Sequence, residues 1–281
     1  MQSDFQQRLI LRDELQTLWQ GQDIFALVQQ LDGDLVRDVP GRQTLRFTLN
    51  GKAYYCKRHT GVGWGEILKN LLSLRLPVIS ARSEWLALNR LAELQVPSLE
   101  PVAYGERGSN PATRISFIVT RELAGKVQLD DYLRAHPRLA PKERRCLLDA
   151  VAHIARQIHR NGINHRDLYL CHFLLDTDSL ASWRTGAGQV QLFLVDLHRA
   201  QLRARVPRRW QVKDLASIYF SAMDLGVTQR DIWRFLQVYF DQPLAVVVHQ
   251  QRDLLAAVAR RADKLYRREQ RLRARGQRGQ V

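Results

Sequence analysis

His165-Arg166-Asp167 stands in a short polar segment between a helical stretch and an apolar run. An aspartate so placed can accept a proton from an attacking hydroxyl and orient it. Alone the tripeptide is weak, because a chain this rich in arginine produces such triplets by chance, and a loop with a capping aspartate accounts for it too. Three further residues give it weight through their order and context. Lys57 falls late on a predicted strand, Glu84 on the helix after it, and Asp196 directly behind the apolar run 191–195. A strand lysine can hold phosphate oxygens, a helix glutamate can hold that lysine, and a carboxylate at a strand end can ligate a hard cation such as Mg2+. Together these are the parts for moving a phosphoryl group, a reaction that needs charge placement more than covalent help.

The elements that must position them follow from periodicity. Residues 1–32 show no strong period and predict a short helical entry. Leu45, Phe47 and Leu49 alternate at period two, and Asn50-Gly51 is the favoured pair for a tight type I′ turn. Strands are therefore expected over 35–39, 44–49 and 52–58. A helix over 81–94 carries Trp85, Leu88, Leu91 and Ala92 at helical spacing, with Pro97 beyond its end. Two more strands are expected over 101–104 and 114–120. Beyond them come a long helix over 142–160, a loop over 162–171, a hairpin of 172–175 with 190–195, and an apolar helix over 215–223 opened by Asp214. Five strands and one helix followed by a mainly helical half predict an α+β, two-lobed architecture. The N-terminal lobe spans 1–122 and the C-terminal lobe 123–281.

The order strand lysine, helix glutamate, loop aspartate, metal aspartate resembles the protein-kinase-like fold. In that arrangement Lys57, Glu84 and the turn glycine Gly41 serve ATP, Asp167 is the catalytic aspartate, and Asp196 ligates Mg2+. The departures narrow the class. Only Gly41 stands in Pro40-Gly41-Arg42-Gln43-Thr44, where a G-x-G-x-x-G run would cover the phosphates. Tyr55 occupies the position two before Lys57, where protein kinases carry a small alanine. His172 stands five residues after Asp167 in place of a metal-binding asparagine. A neutral imidazole can ligate a metal, though it is softer than Mg2+ prefers; a local hydrogen bond is the other reading of His172. Only 17 residues separate Asp196 from Asp214, with no A-P-E motif. They carry Arg199, Arg203, Arg205, Arg208, Arg209 and Lys213 and no acid. The segment reads either as a solvated basic loop or as a clamp for a small anionic acceptor, with Arg199, Arg203, Arg205 and Arg208 as its candidate contacts.

The run Gly162-Ile163-Asn164-His165-Arg166-Asp167-Leu168-Tyr169-Leu170-Cys171-His172-Phe173-Leu174-Leu175 resembles the catalytic loop of the lipopolysaccharide kinases. The stretch 61–85 and Asp196-Leu197-His198 are also similar to that family. The likeness extends from about Val36 to about Met223 and fades in the tail. It implies ATP-dependent phosphorylation of the first heptose of the inner core, on a lipid A-core acceptor at the cytoplasmic face of the inner membrane. Carried over residue by residue, it makes Asp167 the catalytic aspartate and gives Lys57 and Asp196 to nucleotide and metal. His172 is an expected variation there. Association with acyl carrier protein, known for some members, is a further implication.

Composition agrees without deciding the acceptor. The 281 residues are 45% hydrophobic and 25% charged, the balance of a soluble globular protein. No run approaches the ~18 to 20 apolar residues of a membrane span, and the start has neither the basic nor the apolar part of a signal peptide. Cys56, Cys146 and Cys171 form no C-x-x-C pair and suit a reducing cytosol. The net charge is +15, carried by 36 arginines and seven lysines among the 43 cations. Guanidinium forks suit phosphate and carboxylate, so anionic partners are expected. Nucleic acid satisfies the sign, but the four kinase-like residues point away from it. Trp64, Ile67, Leu68, Leu71 and Leu72, with Lys69 and Arg75, read either as an interfacial apolar face or as an insert packed on the small lobe. Residues 260–280 hold nine cations and two acids, and Val258, Leu265 and Leu272 recur at seven. That pattern predicts a helix with one apolar seam, whose cations either contact an anionic membrane surface or are solvated. Two other functions stay open on the residues alone. One is a kinase of another acceptor, such as Kdo, an antibiotic or protein tyrosine. The other is a non-catalytic kinase-like module that binds acidic partners.

Overall fold

The fold was analysed in a computed structural model, which describes residues 7–39, 41–61, 63–65 and 80–276. The chain divides into two compact units. One comprises Met1–Glu93, Ser98–Ala124 and Leu197–Arg199, the other Leu94–Pro97, Gly125–Asp196 and Ala200–Val281.

The first unit contains β1 (Gln7–Leu11), α1 (Asp13–Leu18), α2 (Ile24–Gln30), β2 (Asp34–Val39), β3 (Arg42–Leu49), β4 (Lys52–His59), α3 (Arg82–Glu93), β5 (Pro101–Arg107) and β6 (Ile115–Arg121). Its six strands form one antiparallel sheet in the order β1-β5-β6-β4-β3-β2. The β3–β4 hairpin closes through Asn50 (φ 50°) and Gly51 (φ 74°), two successive positive φ angles as a type I′ turn requires. Alternation assigns Phe47, Tyr54, Cys56, Phe117 and Val119 to one side, where Leu15, Trp19, Ile24, Phe25 and Val28 of the first two helices cover them. Burying each such aliphatic or aromatic side chain contributes roughly 1.5–3 kcal/mol. Strand parity sends Tyr55, Lys57 and His59 to the opposite side. The entry segment departs from expectation. It opens with the edge strand β1, whose exposed Gln-Arg-Leu-Ile-Leu sequence has no alternation to betray it and which is strand by virtue of pairing with β5.

The second unit contains β7 (Lys126–Gln128), α4 (Leu129–Ala135), α5 (Pro141–Arg160), β8 (Ile163–Asn164), β9 (Phe173–Asp176), α6 (Thr177–Arg184), β10 (Leu192–Leu194), β11 (Gln201–Leu202), α7 (Arg208–Ala222), α8 (Gln229–Phe240), α9 (Leu244–Gln250) and α10 (Arg252–Ala274). Pro141 opens α5, where its missing N–H has no intrahelical partner to lose. The helix buries Leu147, Val151, Ala155 and Ile158 along one stripe. A three-stranded sheet, β10-β9-β7, and a two-stranded ladder, β11-β8, flank the loop between α5 and β9. The hairpin expected over 172–195 carries α6 inside it, capped by Asp176, whose side chain accepts the amides of Asp178 and Ser179.

Two expectations shift with the helices. The helix placed over 215–223 begins at Arg208, behind Pro207, so Lys213 and Asp214 lie inside it rather than before it. In the tail, Leu254, Val258 and Ala262 are the buried positions of α10, while Leu265 and Leu272 are only half-buried. The apolar seam docks through its first half. Among the described residues no helix is long and apolar enough to cross a membrane. Ile67, Leu68, Lys69, Leu71, Leu72 and Arg75 lie outside the described residues, and Trp64 is exposed.

Candidate active site

Lys57 sits on β4 opposite Thr44 of β3 and Ile118 of β6. Its Nζ donates to Glu84 Oε1 at 2.6 Å, and Glu84, in the first turn of α3, is 1% exposed. The second oxygen of Glu84 is buried with no hydrogen-bond partner, so Lys57 carries much of the compensation for this charge. Two residues along the same face, His59 is buried, and its pKa is pushed down to about 3, first by burial and then by the nearby positive charges of Arg42 and Lys57. Gly41 (φ 76°) makes the turn between β2 and β3, and its carbonyl accepts the Thr60 amide at 3.2 Å. Tyr55, the departure from the protein-kinase pattern, donates its hydroxyl to Glu122 at 3.2 Å. The Arg46 guanidinium binds the same carboxylate through two nitrogens, at 2.9 and 2.8 Å. Those hydrogen bonds hold the Glu122 carboxyl below its ordinary range.

In the second unit the loop after β8 is built around Asp214. This aspartate is fully buried, and it accepts the backbone amide of His165 at 2.8 Å and that of Arg166 at 2.7 Å. His159 Nε2 lies 3.2 Å from its Oδ2. Arg166 is left-handed (φ 75°), an uncommon backbone for a residue with a side chain, and it persists because its amide is fixed on one side. The next residue, Asp167, is held by its side chain, since Lys213 Nζ donates to Oδ1 at 3.1 Å. Lys213 and Asp214, neighbours on α7, thus grip three consecutive loop residues.

His172 connects the loop to Asp196. Its Nδ1 is 2.7 Å from the Asp167 carbonyl, which can only accept, so Nδ1 carries a proton. Nε2 is then the nitrogen that faces Asp196 Oδ2, at 3.5 Å. Asp196 is itself left-handed (φ 63°). His165 Nε2 donates to the Val195 carbonyl at 3.0 Å, tying the loop to the strand that presents Asp196. Complete burial pushes the His165 pKa down, and its ring stacks on His172 with centroids 5.6 Å apart.

These donors fit a Mg2+ ion that draws its other ligands from elsewhere. Asp196 would supply a carboxylate oxygen, and Nε2 of His172, 3.5 Å from Asp196 Oδ2, faces the same space. A lone pair facing a carboxylate is repulsive unless a cation or a proton lies between them. Among the described residues no group of three or more His, Cys, Asp or Glu is arranged for a metal. A Mg2+ ion held with a nucleotide would take its remaining ligands from phosphate oxygens and water.

The four arginines read as a clamp have different immediate surroundings. Arg205 and Arg208 line a common cavity in the second unit. Arg203 turns its side chain to Gln201 at 2.9 Å, and Arg199 belongs to the first unit. The basic segment is not an open loop. Gln201 and Leu202 of β11 pair with Asn164 and Ile163 of β8, and the Arg203 amide donates to the Gly162 carbonyl at 2.9 Å. A Cβ on Gly162, which has φ 74°, would lie 1.8 Å from the Arg203 carbonyl oxygen. Sequence reasoning passed over Lys213 as one more cation, Asp214 as a helix opener and His159 altogether. The available signal was Pro207, which marks a helix start one residue later and would have put Lys213-Asp214 on a helix face.

The fold and these residues define a protein-kinase-like phosphotransferase. The lipopolysaccharide kinase (Kdo/WaaP) family profile matches residues 26–239. A lipopolysaccharide core heptose(I) kinase WaaP from Pseudomonas aeruginosa is 48% identical over 268 residues, covering 94% of this chain and 98% of that one. Its namesake from Escherichia coli K12 is 45% identical over 264 residues, covering 93% and 98%. A solved structure described as WaaP in complex with acyl carrier protein superposes with a TM-score of 0.79 at 42% identity, over 92% of this chain and 99% of that one. The chain belongs to the lipopolysaccharide kinase (Kdo/WaaP) family.

Proposed function

We propose that this protein is a heptose(I) kinase of the lipopolysaccharide core, which transfers the γ-phosphoryl group of ATP to a hydroxyl of heptose I. The observation that carries the reading is the near-full-length identity, at 48% and 45%, to two heptose(I) kinases, in a chain that keeps the Lys57–Glu84 pair at 2.6 Å. Lys57 binds the α- and β-phosphates, and buried Glu84 holds its ammonium in place. Asp167 accepts a hydrogen bond from the heptose hydroxyl and takes its proton as the oxygen attacks the γ-phosphorus. The new P–O bond forms as the bond from the γ-phosphorus to the bridging oxygen breaks, and ADP departs with that oxygen. Lys213 fixes the Asp167 carboxylate, and Asp214 fixes the backbone that carries it. Asp196 and His172 would hold Mg2+, which would neutralise charge on the phosphates. Gly41 at its turn serves the nucleotide.

The acceptor is lipid-linked, so we place the reaction at the cytoplasmic face of the inner membrane of a bacterium. The exposed cations of α10 are available to anionic headgroups there, at roughly 1 kcal/mol per cation near the surface. We infer acyl carrier protein as a partner from the solved relative in complex with it. The decisive experiment offers Mg-ATP and lipopolysaccharide lacking core phosphate to the parent protein and to Asp167→Ala. Transfer to heptose I by the parent, abolished in the variant, is the expected result. Labelling of a different sugar, or equal transfer by the variant, would overturn the acceptor or the catalytic assignment respectively.

A further inference from the structure

A cavity of about 770 Å3 opens in the second unit beside the N-terminus of α7. Arg156, Arg160, Arg205 and Arg208 line it, with Gln211 and Tyr239 among its polar groups, and no acidic residue contributes to the lining. Arg156 and Arg160 reach Asp241, the latter at 3.8 Å, so one carboxylate serves that pair. Neither Arg205 nor Arg208 has an acidic partner among the described residues. A concave wall of one sign focuses its field into the space it encloses.

A second observation is independent of the cavity's shape. The first turn of α7 begins Arg208-Arg209 and holds no acid. A helix N-terminus carries partial positive charge, so each cation there is unfavourable at low ionic strength. Local choices that work against the fold mark places kept for another purpose. An oxyanion in the cavity relieves both the unpaired guanidinium groups and the helix end.

The polar groups of the cavity are not isolated. Gln211 Nε2 donates to the Tyr239 hydroxyl at 2.9 Å, which lies 2.6 Å from His159 Nδ1. His159 Nε2 reaches Asp214 at 3.2 Å, and Asp214 holds the amides of His165 and Arg166. His159 itself lines the cavity, so a single contact separates the cavity from the residue that shapes the loop bearing Asp167.

We propose that this cavity is an oxyanion site of the phosphate class, and that its occupancy is coupled through Tyr239, His159 and Asp214 to the loop that carries Asp167. The coupling rests on the function proposed above; the binding does not. Two sources supply such an anion: a phosphoryl group borne by the lipid-linked acceptor, or free phosphate.

The test begins with inorganic phosphate titrated into the full-length protein in phosphate- and sulfate-free buffer, followed by calorimetry and by Tm. The parent binds and its Tm rises. Arg205→Ser/Arg208→Ser, a substitution of two exposed residues, weakens binding at least tenfold. It starts from a Tm no lower than the parent's, because it removes helix-end repulsion. Lys57→Met leaves this binding intact, which separates the cavity from the nucleotide phosphates. Equal binding by parent and double variant, or binding lost only in Lys57→Met, overturns the proposal. Steady-state kinetics then separates the sources. If the acceptor supplies the anion, free phosphate raises the acceptor KM of the parent, while the double variant has a raised KM that phosphate leaves alone. If free phosphate is the ligand, it raises the parent's kcat without changing the acceptor KM, and the double variant does not respond. Binding that moves neither constant overturns the coupling. A parent that binds phosphate but transfers nothing would sink the proposed function and leave the site standing.

Discussion

Lys213 Nζ lies 3.1 Å from Asp167 Oδ1, with both side chains largely screened from water. An ammonium bound to a carboxylate fixes its orientation. Lys213→Met is expected to lower kcat by about 10²-fold, the scale of a misplaced reacting group, with little change in the KM for ATP. Lys213→Arg keeps a donor and should recover part of the loss. A structural role alone would lower Tm in both variants and leave the kcat of the folded fraction intact, so kcat and Tm are measured together.

Asp214 accepts through both oxygens, and an amide has only one oxygen to offer. Asp214→Asn should therefore release one of the two loop amides and cost about 1–3 kcal/mol for the buried donor left without a partner. Denaturant unfolding measures the loss, and hydrogen exchange at His165 and Arg166 should show which amide opens.

Glu84 is 1% exposed and Lys57 is the partner shown for it. Lys57→Met leaves that charge buried and should cost about 3–5 kcal/mol, whereas replacing both residues with methionine should return much of it. Transfer activity should stay lost in both proteins. The double-mutant cycle by denaturant unfolding, run beside an activity assay, checks stability and function separately.

His59 supplies a pH signature. Its pKa falls from 6.5 to about 3 on folding, chiefly because burial disfavours the charged ring. The unfolded chain then takes up the proton first as pH drops. The contribution of His59 is complete above its unfolded pKa and is lost progressively toward about pH 3, at up to about 1.4 kcal/mol per pH unit. His59→Gln should flatten the dependence of unfolding free energy on pH between 6.5 and 4.5, measured against the parent.

Gly162→Ala combines a positive φ with a Cβ placed on the Arg203 carbonyl. The β8–β11 ladder must open to admit it. The variant is expected to lose a few kcal/mol of stability, on the order of other strained and overpacked substitutions, and to lose transfer activity with it. Wild-type Tm and activity would show that the ladder yields at no cost.

Much of the first unit was legible because its chemistry is local. Leu45, Phe47 and Leu49 alternate, Asn50-Gly51 dictates the turn, and that parity also determines the face on which Lys57 stands. β1 was not legible, since an exposed edge strand needs only a neighbour with free backbone groups. Nor were the contacts to Asp214. Two backbone amides and a histidine 55 residues before it leave no periodic trace, and a buried carboxylate looks like any other aspartate in the chain. His172 was left between ligating and hydrogen bonding, and the geometry has it making a hydrogen bond with Nδ1 while Nε2 faces Asp196.

The chain from Asp196 to Asp214 is pinned at its middle by β11 and at its far end by α7. Such a segment has no slack. Surface loops usually absorb added residues cheaply, but a residue inserted between Arg203 and Pro207 would have to slip the ladder with β8 or unwind the start of α7. Either change reaches the loop that carries Asp167. Change along this stretch is therefore confined to exchanging side chains on a path of constant length.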